Sequence, residues 1–158
     1  MPNIFLDEHT VILKAFNECQ VDYLLIGGYA VIYHGYDRTT GDMDIWLRPS
    51  NENKSKVIKA FRQLGYDNQS LEELNKYNFS DVVLFYLGVE PQKMEFLTKI
   101  SLVDFDESNK RKELCHIDDE FIVPIIHYDD LVLSKINTGR AKDKADIEEL
   151  QKLNRSKK

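Results

Sequence analysis

Several things are scarce in this 158-residue chain, and each scarcity excludes a class of protein. There are two cysteines, Cys19 and Cys115, far apart and each among apolar residues. That excludes a disulfide framework and a cysteine-based zinc site, and predicts two buried free thiols in a reducing compartment. Four prolines and seven glycines are too few for a disordered or repetitive chain. No apolar run is long enough to cross a membrane. The opening MPNIFLDEH lacks the basic and apolar regions of a signal peptide, so a cytoplasmic location is expected. Positive charge is short as well: 21 Lys and Arg stand against 27 Asp and Glu, a net charge of −6. A broad nucleic-acid-binding surface would need the opposite balance, although a local basic patch stays open. The four histidines show no ligand spacing, which argues against zinc. Neither Gly-x4-Gly-Lys-Ser/Thr nor Gly-x-Gly-x-x-Gly occurs, which removes a P-loop and a dinucleotide fold.

What is present suits a single domain over residues 1–158. Hydrophobic residues make up 42% of the chain and include eight Phe and eight Tyr, enough for a sizeable core. Helical spacing of apolar residues predicts helices over 7–20, with Asp7 as a cap, and over 29–33, 54–64, 129–137 and 141–153. In the last of these, Ala145, Ile147, Leu150 and Leu153 partly line one side, and residues 154–158 should fray. Apolar and alternating runs predict strands over 22–26, 42–47, 81–87 and 92–97, the last two joined by a hairpin turn at 88–91. A smaller hairpin is expected over 112–117 and 120–126, with Pro124 placing its strand at an edge or in a break. Residues 71–77 read as a helical turn or two, and 102–111 as loop or short helix. The fold class is therefore α/β (α+β), a mixed twisted sheet of about four to six strands with helices mainly on one face. Residues 127–153 form a C-terminal helical hairpin.

Residues 26–48, IGGYAVIYHGYDRTTGDMDIWLR, hold the chemistry. Gly27 and Gly28 follow a short apolar strand and open a helix, where bare backbone can approach a phosphate closely. Asp42 and Asp44 stand two apart on a strand, so both project to one side while Met43 and Ile45 project into packing. Two neighbouring carboxylates repel unless a cation lies between them. Mg²⁺ (or Mn²⁺) is the natural one, since it takes carboxylate oxygen together with substrate phosphate. Glu95, in Met94-Glu95-Phe96, would face the same way if its strand neighbours theirs. Its plainer reading is a surface Glu paired with Lys93.

This pattern resembles the nucleotidyltransferase superfamily, the polymerase-beta-like enzymes in minimal form. The family carries a Gly-Gly or Gly-Ser pair at a helix start, a strand with Asp-x-Asp, and a third carboxylate on a later strand. Arg38-Thr39-Thr40-Gly41-Asp42-Met43-Asp44 also looks like the Arg-x-Thr-x-Asp-x-Asp form of many bacterial members. In the tail, Lys135 followed by Arg140-Ala141-Lys142-Asp143 and Asp146 resembles AbiEii-like nucleotidyltransferases. The resemblance implies Asp42, Asp44 and Glu95 as metal ligands and catalytic acids, with Asp143 as an extra acid and Asp146 as a weaker candidate for that role. It implies Lys135 as a triphosphate contact, with Gly27, Gly28, Arg38, Thr40, Arg140 and Lys142 around the nucleotide. The family usually has Asp where this chain has Glu95. The plainer reading of Arg38 is a surface loop residue, and of the tail a solvated helix pair with contacts such as Lys144 to Glu148.

The expected activity is Mg²⁺-dependent transfer of a nucleoside monophosphate from an NTP to a hydroxyl or phosphate, releasing pyrophosphate. The acceptor is open between a small molecule, a protein and tRNA, with size and acidity arguing mildly against tRNA. A protein partner or a homodimer is left open. The alternative is a weak or inactive nucleotide-binding or partner-binding module, such as a toxin–antitoxin component. A third reading, a plain structural domain, requires Glu95 to lie far from Asp42.

Overall fold

The computed structural model describes residues 5–136 and 138–156. Asn137, Lys157 and Lys158 fall outside them, so the expected helix end at Asn137 and the fraying of the last two lysines lie outside the described residues. Seven helices and six strands follow one another among the described residues: α1 (Asp7–Glu18), β1 (Tyr23–Ile26), α2 (Gly27–Tyr33), β2 (Met43–Leu47), α3 (Asn51–Gln63), α4 (Asn68–Asn75), β3 (Leu84–Leu87), β4 (Met94–Leu97), α5 (Phe105–Lys110), β5 (Glu113–His116), β6 (Ile122–Ile125), α6 (Tyr128–Lys135) and α7 (Ala141–Ser156). The strands form one mixed, twisted sheet in the order β3-β4-β2-β1-β6-β5. β2 runs parallel to β4 and antiparallel to β1.

The two faces of the sheet differ. Phe85, Phe96 and Tyr23 meet Phe16 of α1 and Phe61 of α3 in an aromatic cluster. Met43 and Ile45 lie on that face by strand alternation and are fully buried. On the other face stand Asp44, Trp46 and Glu95. Trp46 is covered there by Phe105 of α5 and donates its indole N–H to the Thr98 carbonyl at 3.0 Å. Both cysteines are buried.

Several boundaries differ from the sequence expectation for physical reasons. The α1 cap position is Leu6, with no side-chain bond, and Asp7 is the first helical residue. There its charge favours the helix dipole instead of capping the turn. α2 begins at Gly27 rather than at residue 29. α3 begins at Asn51 because the Ser50 side chain accepts from the Asn53 N–H. β3 begins only at Leu84, since the Val83 N–H donates to the Thr98 hydroxyl and the Asp81 carbonyl accepts from it. Residues 68–75 and 105–110 are helices, each capped by an aspartate, Asp67 and Asp104.

The expectation for Pro124 is corrected. β6 lies inside the sheet, between β1 and β5. The Ile126 N–H bonds the Leu25 carbonyl at 3.1 Å, so the nitrogen of Pro124, two residues earlier, points the same way. The β1 ladder has not begun there: its one register pair is Leu25 with Ile125. The missing N–H is therefore not needed. α7 extends to Ser156, and its buried face is Asp143, Asp146 and Leu150, with Ala145 exposed.

Candidate active site

The glycine pair sits against the acid strand. Ile26 of β1 is the register partner of Asp44, and the chain turns into α2 at the next residue. Gly27 has φ +66°, and a Cβ there would lie 2.1 Å from Asp44 Oδ2. A Cβ on Gly28 would lie 2.4 Å from the Thr40 hydroxyl and 3.2 Å from Arg38 Nη2. Only hydrogen fits at either place. The glycines thus let the first turn of α2 close onto Asp44 and the 38–40 loop.

Asp44 and Glu95 are direct register partners on parallel strands, so Glu95 lies beside the strand that Asp42 precedes. Burial, the Glu95 contact and the Glu95 charge push the Asp44 carboxyl up to about 7, against the pull of Lys135. Asp44 therefore keeps its proton well above the usual carboxylate range.

Asp42 stands just before β2. Its pKa is raised by burial and by a hydrogen bond with Glu90, while Lys93 opposes the shift. Lys93 Nζ lies 4.0 Å from Asp42 Oδ2 and 3.1 Å from Glu90 Oε1. Lys93 therefore serves Asp42 and Glu90 rather than Glu95. Asp42 Oδ1 is buried and has no hydrogen-bond partner among the described residues. Among the described residues, no three His, Cys, Asp or Glu side chains are gathered closely enough to hold a metal. The donor chemistry nonetheless fits a hard cation. The groups offer oxygen only, Asp42 keeps a buried oxygen without a donor, and Asp44 holds a proton where a cation would relieve its repulsion with Glu95.

The cationic wall comes from the tail. Lys135, at the end of α6, is buried and bridges Asp143 at 3.1 Å and Asp146 at 3.0 Å. Asp143 also accepts from the Thr138 hydroxyl at 2.6 Å and from Arg140 Nε at 2.7 Å. Although burial opposes it, these bonds from Arg140, Thr138 and Lys135 hold the Asp143 carboxyl down at about 2. Asp146 is buried between Lys135 and Arg38, whose Nε lies 2.9 Å and Nη2 3.1 Å from its two oxygens. Arg38 is thus an internal ion-pair residue joining the 38–40 loop to α7. Both tail aspartates act here as counter-ions.

A cavity of about 320 Å³ opens between these groups, lined by Gly27, Asp44, Glu95, Lys135, Arg140 and Asp143, with Ile26, Leu97, Lys99, Ile100, Ser101 and Ser134 completing it. The hydrogen bond to Asp143 raises the Arg140 pKa against the effect of burial, and the charges of Asp143, Asp44 and Glu95 add to it. Lys142 is exposed and does not line the cavity. Sequence reasoning missed Lys99 as a lining residue. Its signal was the alternation Lys93, Glu95, Leu97, Lys99, which puts all four on one face. Asp81 is exposed and stands outside the strands. His34 packs against β6 and β5, with Nε2 2.8 Å from the Ile126 carbonyl and Nδ1 3.6 Å from Glu113.

The fold matches solved structures. Lincosamide antibiotic adenylyltransferase LnuA, determined with lincomycin bound, aligns with a TM-score of 0.54 and 20% identity over 96% of this chain and 99% of its own. An antigenic nucleotidyltransferase-like protein from Paracoccidioides brasiliensis aligns with a TM-score of 0.46 and 16% identity over 92% of this chain and 73% of its own. No curated protein matches the chain. Among the described residues no helix is long and apolar enough to cross a membrane. Residues 5–156 match the family model described as nucleotidyltransferase of unknown function (DUF6036), and the chain belongs to that family, with a nucleotidyltransferase-like fold of the polymerase-beta-like superfamily.

Proposed function

We propose that the protein transfers a nucleoside monophosphate from an NTP to a hydroxyl acceptor and releases pyrophosphate. The observation that carries this reading is the pairing of Asp44 with Glu95 on adjacent parallel strands, facing a cavity whose other wall holds Lys135 and Arg140. Lys135 and Arg140 meet the charge of the triphosphate, and the backbone at Gly27 and Gly28 permits its close approach. Thr40 and Arg38 hold the loop that carries Asp42. Asp143 and Asp146 keep Lys135, Arg140 and Arg38 in position. Lys142, being exposed, is left to long-range attraction of the anionic substrate. Asp42, Asp44 and Glu95 would hold Mg²⁺, which when bound neutralises charge on the phosphate oxygens. The ionised member of the Asp44–Glu95 pair accepts the proton of the attacking hydroxyl.

Among acceptor classes, a small organic molecule comes first for testing, since a solved structure that aligns over 96% of this chain is described as an antibiotic adenylyltransferase. The tail pattern keeps an AbiEii-like, toxin–antitoxin role as a second candidate context. A reading without turnover draws on one observation: Asp42 is directed to Glu90 and Lys93, apart from the Asp44–Glu95 pair. Incubation with each α-labelled NTP and Mg²⁺ separates the two. Release of pyrophosphate that disappears in Glu95→Gln supports transfer. Mg²⁺-dependent nucleotide binding with no turnover in any acceptor mixture supports the binding module.

A further inference from the structure

The outer edge of the sheet carries an apolar strip that the reading above leaves unused. Val82, Leu84 and Tyr86 are 76%, 44% and 49% exposed, more than a lone surface apolar residue would explain. β3 is an edge strand. Tyr86 is the register partner of Glu95, and Leu84 of Leu97. Both partners line the cavity. Cross-strand partners share a face, so Leu84 and Tyr86 extend the cavity floor outward, about 5 Å beyond Glu95 and about 10 Å beyond Asp44. Lys93 holds its ammonium 4.5 Å from the centre of the Tyr86 ring.

Lys135 and Arg140 stand on the tail side of the acids, while Lys93 and Lys99 lie along β4 and its continuation. Lys135 ends α6, and α6 packs on α2, which follows β1. In phosphoryl transfer the attacking and leaving oxygens lie roughly in line through the phosphorus. With the leaving end of the triphosphate beside Lys135 and Arg140, the nucleophile enters from the side away from them, over β4 and β3. We propose that Leu84 and Tyr86, with Lys93 against the ring, form the acceptor platform, and that the acceptor is a small hydroxylated molecule with an apolar or aromatic face. This rests on the nucleotidyl-transfer reading. The acceptor oxygen bonds to the α-phosphorus, the bond from that phosphorus to the α,β-bridging oxygen breaks, and pyrophosphate leaves. The hydroxyl proton passes to the Asp44–Glu95 pair.

The test uses tyrosol (4-hydroxyphenylethanol) as an aromatic alcohol and sorbitol as a polar one. Each is titrated into the full chain, with Mg²⁺ and the α,β-methylene analogue of the nucleotide that binds, while the Leu84 methyl and Tyr86 ring NMR signals are followed. Tyrosol should move both signals saturably and sorbitol neither. Tyr86→Ala should raise the tyrosol Kd about 10-fold, with the nucleotide Kd kept within about twofold, and Tyr86→Phe should retain tyrosol binding. If nucleotide binds but tyrosol moves neither signal, the platform is overturned and the transfer reading stands. If no nucleotide binds to the folded protein, both fall. A concentration-dependent dimer in sedimentation, abolished by Leu84→Lys, would assign the strip to a second copy and overturn the proposal.

Discussion

Gly27→Ala tests the contact between the glycine turn and Asp44. The substitution acts in two ways. A Cβ at φ +66° is in the left-handed region, which costs about 1–2 kcal/mol for an L-residue. The same Cβ would stand 2.1 Å from Asp44 Oδ2 and 2.9 Å from its Cγ, and overpacking of this kind adds about 1–3 kcal/mol. The expected loss is about 2–5 kcal/mol, a large share of a domain's stability. Gly65→Ala separates the two effects, because Gly65 has φ +91° and nothing within 4 Å of a Cβ. It should show the backbone effect alone, about 1–2 kcal/mol. Asp44→Ala removes the two nearest clashing atoms, so combining it with Gly27→Ala should recover about 1–3 kcal/mol. Urea unfolding of the four variants and the parent, read as midpoint shifts at constant m-value, gives these numbers. Equal losses for Gly27→Ala and Gly65→Ala, with no recovery in the double variant, would refute the contact and leave the glycines with a ligand role alone.

Other variants test the charges. The folded protein holds the Asp44 proton up to about 7, against 3.8 for the free side chain. Between those values the folded state binds more protons than the unfolded, so stability falls as pH rises from about 4 to 7. Asp44→Asn should flatten that limb and add on the order of 2–4 kcal/mol at pH 8 in EDTA, by urea unfolding. A loss at pH 8 would contradict it. Asp143 behaves oppositely. Its folded pKa is lowered from 3.8 to about 2, so its contribution is present above about pH 4 and disappears as pH falls through 2. Asp143→Asn should remove about 1–2 kcal/mol at pH 7, after allowance for solvent screening, and flatten acid unfolding below pH 4. Lys135→Met breaks two buried ion pairs but leaves Arg38 and Arg140 to partner the aspartates. It should lower stability by about 3 kcal/mol, at the lower end for a broken buried pair, and weaken nucleotide binding in calorimetry.

The site was legible where one strand or one turn encodes it. Alternation alone puts Asp42 and Asp44 on one side of β2 and Met43 and Ile45 on the other, and the structure buries the latter pair. The match of Asp44 to Glu95 is a different matter. It depends on β4 crossing over to lie parallel beside β2, and no local pattern fixes that register. From sequence the glycines point to phosphate alone, since the contact of Gly27 with Asp44 spans 17 positions and appears only once β1 and β2 pair. From sequence Arg38 reads as a brace of the acid loop, a phosphate contact or a surface loop residue, and its pairing with Asp146 is not legible because that residue lies 108 positions away. Pro124 misled because a missing N–H is a defect only where a ladder needs it. Residues 81–87, DVVLFYL, are apolar on both faces, so their pattern does not reveal that one face stays open at the sheet edge.

Calorimetric titration of ATP, CTP, GTP and UTP with Mg²⁺, into the protein and into Asp42→Asn/Asp44→Asn, tests the central claim most directly. The account predicts metal-dependent binding of at least one nucleotide, lost in the double variant while that variant stays folded and gains stability. Absence of binding for all four nucleotides in the folded protein, or binding that neither EDTA nor the double substitution affects, would contradict it.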